Sequence, residues 1–171
     1  MARDTRDFHM DPRTGWRAVA GFDLGTPYLG GSNNFYKYYL DVIKYTLLPF
    51  DTRISVRARY GAAVGIEGNP IPLTERYFVG GINTMRGFKF GRAGPVTTSN
   101  SLLGATKQLI FNNDFIFTIS SDAKLNGVVF FDYGKGFADD EPLSSKLRKT
   151  VGLEGRWISP FGPLRAAYGI N

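Results

Sequence analysis

Arg53 to Val64 gives the sharpest alternation of the chain: Ile54, Val56, Ala58, Tyr60, Ala62 and Val64 stand on one side, and Arg53, Ser55, Arg57, Arg59 and Gly61 on the other. Successive side chains of a strand point to opposite faces, so a period of two predicts a strand with one apolar and one wet face. Trp16 to Leu24 repeats the pattern, with Trp16, Ala18, Ala20, Phe22 and Leu24 opposed to Arg17, Gly21 and Asp23, and Val19 as the exception. Phe35 to Leu48 predicts a longer strand in which Tyr36, Tyr38, Leu40 and Val42 face away from Lys37, Tyr39 and Asp41. Near the end of the chain, Leu147 to Trp157 sets Leu147, Lys149, Val151, Leu153, Gly155 and Trp157 against Arg148, Thr150, Gly152, Glu154 and Arg156. Leu164, Ala166, Tyr168 and Ile170 then begin a last strand.

The remaining elements are less sharply patterned. Leu125 to Phe137 reads as a strand although the run Val128-Val129-Phe130-Phe131 blurs its alternation. Leu102 to Phe111 is a weaker candidate with apolar residues on both faces, and Asn112-Asn113-Asp114 after it predicts a turn, with Phe115 to Ile119 extending the sheet beyond. Turns are also predicted at Gly30-Gly31-Ser32-Asn33-Asn34, Pro49-Phe50-Asp51 and Pro160-Phe161-Gly162-Pro163. With the short stretch Arg3 to Phe8, about eight strands emerge and no apolar stripe of helical period, which predicts an all-β antiparallel meander.

Transmembrane strands of about 9–11 residues, tilted by about 45°, cross a bilayer's hydrocarbon core, and several of these segments have that length. Tyr36, Tyr38, Tyr60, Trp157 and Tyr168 lie towards strand ends or on apolar faces, where a membrane barrel carries its aromatic girdles. The opposite faces hold arginines 53, 57, 59, 148 and 156 and acids 23, 41 and 154, which must meet water because hydrocarbon makes each of them costly. A transmembrane β-barrel is therefore the expectation, with a soluble sandwich or lipocalin-like barrel, its aromatics turned into a core, as the alternative.

Composition narrows the chemistry. At 171 residues the chain holds one domain, residues 1–171; glycine supplies 21 residues and aromatics 15%, a bias towards sheets with tight turns. Cysteine is absent, which removes disulfides, thiolate metal sites and thiol catalysis. The net charge of +6 suits an anionic partner such as phospholipid headgroups or lipopolysaccharide phosphates, whereas the scatter of arginine and lysine along strands and turns argues against nucleic acid. No apolar run reaches the roughly 18 residues of a membrane helix, so any membrane crossing is made by strands. The opening Met-Ala-Arg-Asp-Thr-Arg-Asp has no secretion-signal pattern, which for an exported barrel leads one to expect further sequence ahead of it. His9 is the only histidine, Gly134-Lys135-Gly136 lacks the setting of a phosphate loop, and Asp139-Asp140-Glu141 reads as a solvated turn. Neither an enzyme nor a cofactor is expected.

One segment stands apart. The connection from about residue 65 to residue 100 far exceeds the usual 2–5 residues of a hairpin loop, and long connections of this kind are functional or disordered. Its residues are not those of a solvated linker. Gly80 and Gly81 permit backbone angles closed to other residues, Arg86 carries a planar fixed charge, and Phe88 and Phe90 are bulky apolar anchors.

Four motifs follow one another along the chain. Asp4-Thr5-Arg6-Asp7 precedes the turn Pro12-Arg13-Thr14-Gly15. Glu75-Arg76-Tyr77-Phe78-Val79-Gly80-Gly81 leads to Arg86-Gly87-Phe88. Phe130-Phe131-Asp132-Tyr133-Gly134 follows, and Ser159-Pro160-Phe161-Gly162-Pro163-Leu164 completes the set. In this order they resemble the barrel of the BamA-type outer-membrane assembly factor family, whose relatives include two-partner secretion transporters and organellar import pores.

The resemblance implies that the long loop folds back into the barrel and docks its Arg-Gly-Phe tip on acidic residues of the inner wall. Arg86, Gly87, Phe88, Glu75, Gly80 and Gly81 would be the docking motif, with Asp132 as an acceptor of Arg86. The alignment places Gln108 where the family commonly has glutamate, and Glu154 on a neighbouring strand is the expected substitute. The chain would supply about the last half of a sixteen-stranded barrel without its final strand, so closure calls for the remainder of the barrel or another copy, since lipid cannot satisfy open sheet edges. The implied function is assembly and insertion of β-barrel proteins in the bacterial outer membrane. Its partners would be unfolded outer-membrane proteins, accessory lipoproteins, lipid and lipopolysaccharide; a polypeptide secretion pore of the two-partner type is the alternative.

Overall fold

A computed structural model describes residues 1–27 and 34–171. The described residues form a single eight-stranded sheet in strict sequence order. The strands are β1 (Ala2–Asp4), β2 (Gly15–Gly25), β3 (Phe35–Leu48), β4 (Thr52–Gly65), β5 (Lys107–Ser120), β6 (Leu125–Phe137), β7 (Arg148–Ser159) and β8 (Gly162–Ile170). Every neighbouring pair is antiparallel, so each strand needs only a short turn or a loop to reach the next. β1 and β8 are the two edges of an open sheet. The turn expected from Gly30 to Asn34 falls mainly on residues outside those described.

Register explains which side is which. Ala58 pairs with Val42 on β3 and with Phe111 on β5, and Phe111 pairs with Tyr133 on β6, so the even positions of β2 to β4 share a face with the odd positions of β5 to β7. That shared face is apolar and open: Phe22 is 65% exposed, Leu153 63% and Tyr168 75%, with Leu40, Val56, Phe115 and Phe131 exposed beside them. A water-soluble sandwich would turn this face into its core, so the sandwich alternative fails and the lipid-facing wall of a barrel fits. Buried apolar side chains lie instead on the inner side, in small clusters such as Val79, Met85, Ala93 and Ile110, where the long loop meets the wall.

Three local expectations need correction. Asn112-Asn113-Asp114 is not a turn: β5 runs straight through it, with Asn112 paired to Arg57 and Asp132, and Asp114 to Ser55 and Phe130. Turn propensity loses here because ladders on both sides satisfy the backbone and each polar side chain finds a partner, Asn113 donating to the Phe131 carbonyl at 3.3 Å. Leu102 is not in a strand but forms an isolated bridge with Val96, so the connection from β4 runs on to the start of β5 at Lys107 instead of stopping near residue 100. The first strand ends at Asp4 and does not reach Phe8, because Asp7 turns the chain by accepting the N–H groups of Phe8, Arg13 and Thr14.

Candidate functional site

The long loop enters the inner side of the sheet and presents a tight tip there. The Gly80 N–H donates to Thr84 Oγ1 at 2.8 Å, Thr84 Oγ1 donates back to the Gly80 carbonyl at 2.9 Å, and the Gly81 N–H lies 3.1 Å from the Met85 carbonyl and 2.9 Å from that of Phe88. These bonds fold residues 80–88 into a compact loop with Arg86 at its far end. Phe88 packs against the buried Val79, Met85, Ala93 and Ile110, and the Arg148 guanidinium lies 5.6 Å from its ring centroid.

Arg86 is 4% exposed and is bonded on every side. Its Nε donates to Asp132 Oδ2 at 2.9 Å and one Nη to Asp132 Oδ1 at 2.5 Å, a two-pronged fork, and its backbone N–H adds a third bond to Oδ2 at 2.9 Å. The other Nη donates to Glu154 Oε2 at 2.7 Å, and Asp114 Oδ1 accepts from the fork at 2.7 Å. Beneath lies the Phe130 ring, its centroid 4.0 Å from the guanidinium carbon. Only a planar cation with five N–H groups can meet three carboxylates and a ring in this way; an ammonium would lose the fork.

The carboxylates are shared with the wall. Arg156 reaches Asp114 Oδ2 at 2.7 Å and Glu154 Oε1 at 2.8 Å, and Arg165 reaches Glu154 Oε1 at 2.5 Å. Three guanidiniums, of Arg86, Arg156 and Arg165, therefore balance three carboxylates, of Asp114, Asp132 and Glu154, across four strands and one loop. Buried charges are tolerated when paired and hydrogen-bonded in this manner. Burial opposes the charge on Arg86, but its hydrogen bonds to Asp132 and the field of Asp114 outweigh it and raise its pKa above the ordinary arginine value.

Two further wall residues hold the tip. Asn112 Nδ2 donates to the Thr84 carbonyl at 2.7 Å and Arg59 to the Asn83 carbonyl at 3.2 Å. Gly87 follows Arg86 at φ +82°, and a Cβ there would lie 2.5 Å from Thr150 Oγ1, so the tip demands glycine for both angle and space.

Of the residues singled out in the sequence, Arg86, Asp132 and Glu154 come together, with Gly80, Gly81, Gly87 and Phe88 shaping the tip that brings them there. Gln108 is not among the partners of Arg86; the acidic place on β5 belongs to Asp114. Glu75 lies in a 3₁₀ turn, Leu73–Glu75, and pairs with Lys37 at 3.5 Å, away from Arg86. Sequence reasoning missed Asp114, Asn112, Arg59 as a tip contact, Arg156 as a tip-cluster member and Arg165. Continuing the period of two from Gln108 through Ile110 and Asn112 would have put Asp114 on the inner face.

Comparison with known proteins adds an independent line. The Omp85 superfamily domain matches residues 1–171. The outer membrane protein assembly factor BamA of Nitratidesulfovibrio vulgaris is 31% identical over 173 residues, covering 99% of this chain and 22% of that protein. A SAM50-like protein of Schizosaccharomyces pombe is 31% identical over 120 residues, covering 68% of this chain and 25% of its own length. The crystal structure of BamA from Haemophilus ducreyi lacking POTRA domains 1–3 superposes with a TM-score of 0.84 at 18% identity, over 99% of this chain and 37% of that one, which speaks for the fold. The chain thus spans about a quarter or less of the length of these curated relatives.

Proposed function

The chain belongs to the Omp85 superfamily, and we propose on that footing that it is the loop-bearing part of an outer-membrane barrel that folds and inserts other β-barrel proteins. The observation that carries this reading is the docked tip: a fully paired Arg86 buried among Asp114, Asp132 and Glu154 ties three strands, β5, β6 and β7, to one loop and braces the wall from inside. A braced wall leaves backbone pairing at a sheet edge free to guide an incoming strand, since an edge offers a row of unpaired N–H and C=O groups. The open edges of β1 and β8 call for the remainder of the barrel, or a second copy, to close the sheet at membrane depth. Partners in this reading are unfolded outer-membrane proteins, accessory lipoproteins, membrane lipid and lipopolysaccharide. The cluster's function is mechanical and no catalytic step is assigned to it. The assembly-factor name of the Nitratidesulfovibrio relative weighs for assembly over the two-partner secretion alternative.

The test is reconstitution of the complete parent protein in liposomes, with a urea-unfolded outer-membrane barrel added as client. Folding is read from the heat-modifiable gel mobility of that client. The expected result is faster folding than in empty liposomes, reduced by Arg86→Gln. Client folding at the empty-liposome rate would count against the assembly role.

A further inference from the structure

We propose that residues 5–14 form a second plug, which closes the inner space from the end opposite the Arg86 tip and is locked to the wall by Asp11 and Arg53. The ends of this segment meet: the Thr5 N–H donates to the Trp16 carbonyl at 2.9 Å, and Thr5 Oγ1 bonds both the Trp16 carbonyl and its N–H at 3.1 Å. Gly15 closes the neck at φ +97°, where a Cβ would lie 2.4 Å from the Thr5 carbonyl oxygen, so a side chain would force the neck open. Inside the loop, Asp7 Oδ1 accepts the N–H groups of Phe8 at 2.9 Å, Arg13 at 2.9 Å and Thr14 at 3.2 Å. A compact loop with joined ends, packed by its own side chain, behaves as one body and is frequently functional.

The loop does not trail away from the barrel. His9, Met10, Asp11 and Pro12 line a cavity of about 610 Å³ on the inner side of the sheet, with Asn83 and Arg86 of the docked tip also on its wall. One loop therefore bounds the space from the long-loop end and the other from the turn end. The second loop is held by two ion pairs: an Arg53 Nη donates to Asp11, and Arg13 meets Asp51 at 2.7 Å.

The Asp11 pair has the asymmetry of a lock. Arg53 is fixed on β4 and only 6% exposed, whereas the Asp11 side chain is 37% exposed on the loop. When the loop swings out, Asp11 regains water readily. Arg53 loses its counter-charge, and its Nε has no hydrogen-bond partner even in the closed form. That penalty keeps the plug seated, and an anionic group arriving in the cavity would relieve it. The Asp11 carboxylate thus does at the turn end, with inverted polarity, what Arg86 does at the other: a loop supplies the ion that a wall residue needs.

The experiment uses the complete parent barrel in planar bilayers, where conductance reads the open path without calling on assembly activity, so its outcome is independent of the function proposed above. Asp11→Arg places two guanidiniums face to face and is expected to raise conductance several-fold; adding Arg53→Asp should return it to the wild-type level by restoring the pair with its signs exchanged. Heat-modifiable mobility verifies that each barrel is folded. Should Asp11→Arg fail to fold, Asp11→Asn removes the charge with little change of shape and is expected to raise conductance by a smaller factor. A folded variant conducting like wild type, or a double exchange that stays as leaky as Asp11→Arg, overturns the plug.

Discussion

Arg86 and Asp114 meet at 2.7 Å through one carboxylate oxygen, while the other oxygen of Asp114 holds Arg156 at the same distance. A single side chain in the middle of β5 therefore couples the tip of the long loop to β7. This makes Asp114 as much a structural member of the inner wall as Asp132, although it follows two asparagines in a run that reads as a turn.

Asp114→Asn keeps the shape of that junction and removes its charge, leaving three guanidiniums against two carboxylates. Breaking one partner of a buried ion cluster costs about 3 kcal/mol or more. Gln108→Ala, which removes no partner of Arg86, is expected to cost about 1 kcal/mol. Urea unfolding of the complete barrel in lipid vesicles ranks the two, and a larger loss for Gln108→Ala would return the acidic place on β5 to the position first expected.

Val56 lies on the apolar face and is 46% exposed, with hydrocarbon as its surroundings in the barrel reading. Val56→Arg is expected to destabilise the barrel by about 2–4 kcal/mol near the bilayer midplane, while Val56→Leu is expected to be nearly neutral. The same unfolding measurement in vesicles checks both. An arginine tolerated at this position would mean that the face meets water.

Gly87→Ala adds a Cβ at a left-handed φ of +82° and 2.5 Å from Thr150 Oγ1. Strain of this kind costs on the order of 1–3 kcal/mol, charged here against docking of the tip. Lys89 and Arg92, a few residues on, become trypsin sites when the loop leaves the wall. Limited proteolysis should cut the alanine variant markedly faster than wild type within the loop, and equal rates would show that the tip adapts.

Phe50 is 98% exposed in the turn between β3 and β4 at φ 60°, a conformation that a bulky side chain adopts at a cost and asparagine adopts readily. Phe50→Asn should therefore stabilise the isolated barrel in detergent, by about 0.5–1 kcal/mol. A loss of stability instead would reveal a contact that holds Phe50 in place.

Much of the wall was legible because alternation is a strong signal where one face meets lipid and the other water. β3 is bounded as the sequence predicts, from Phe35 to Leu48, and β2, β4, β6 and β7 lie within a residue or two of their expected limits. β5 was legible only in part. Its inner face carries Gln108, Asn112 and Asp114 among apolar neighbours, so local composition imitates a turn, and it is the ladders to β4 and β6 that make a strand of it, with Arg86 and Arg156 meeting the Asp114 charge. The tip motif itself was readable from its glycines and its lone arginine. Its wall contacts Asn112 and Arg59, and Arg165 behind Glu154, were not, because they come from three strands whose approach is set by sheet register and by the return of the loop, neither of which is local in sequence.

The central claim is that Arg86 is moored inside the wall by carboxylates, Asp132 foremost, which is 0% exposed and takes three hydrogen bonds from Arg86. A double-mutant cycle between Arg86→Gln and Asp132→Asn, read as unfolding free energy of the complete barrel in lipid vesicles, tests it most directly. The account predicts a coupling of about 1.5–3 kcal/mol, since each single change strands a buried charge that the other relieves. Additivity within about 0.5 kcal/mol would contradict it, because independent sites behave that way.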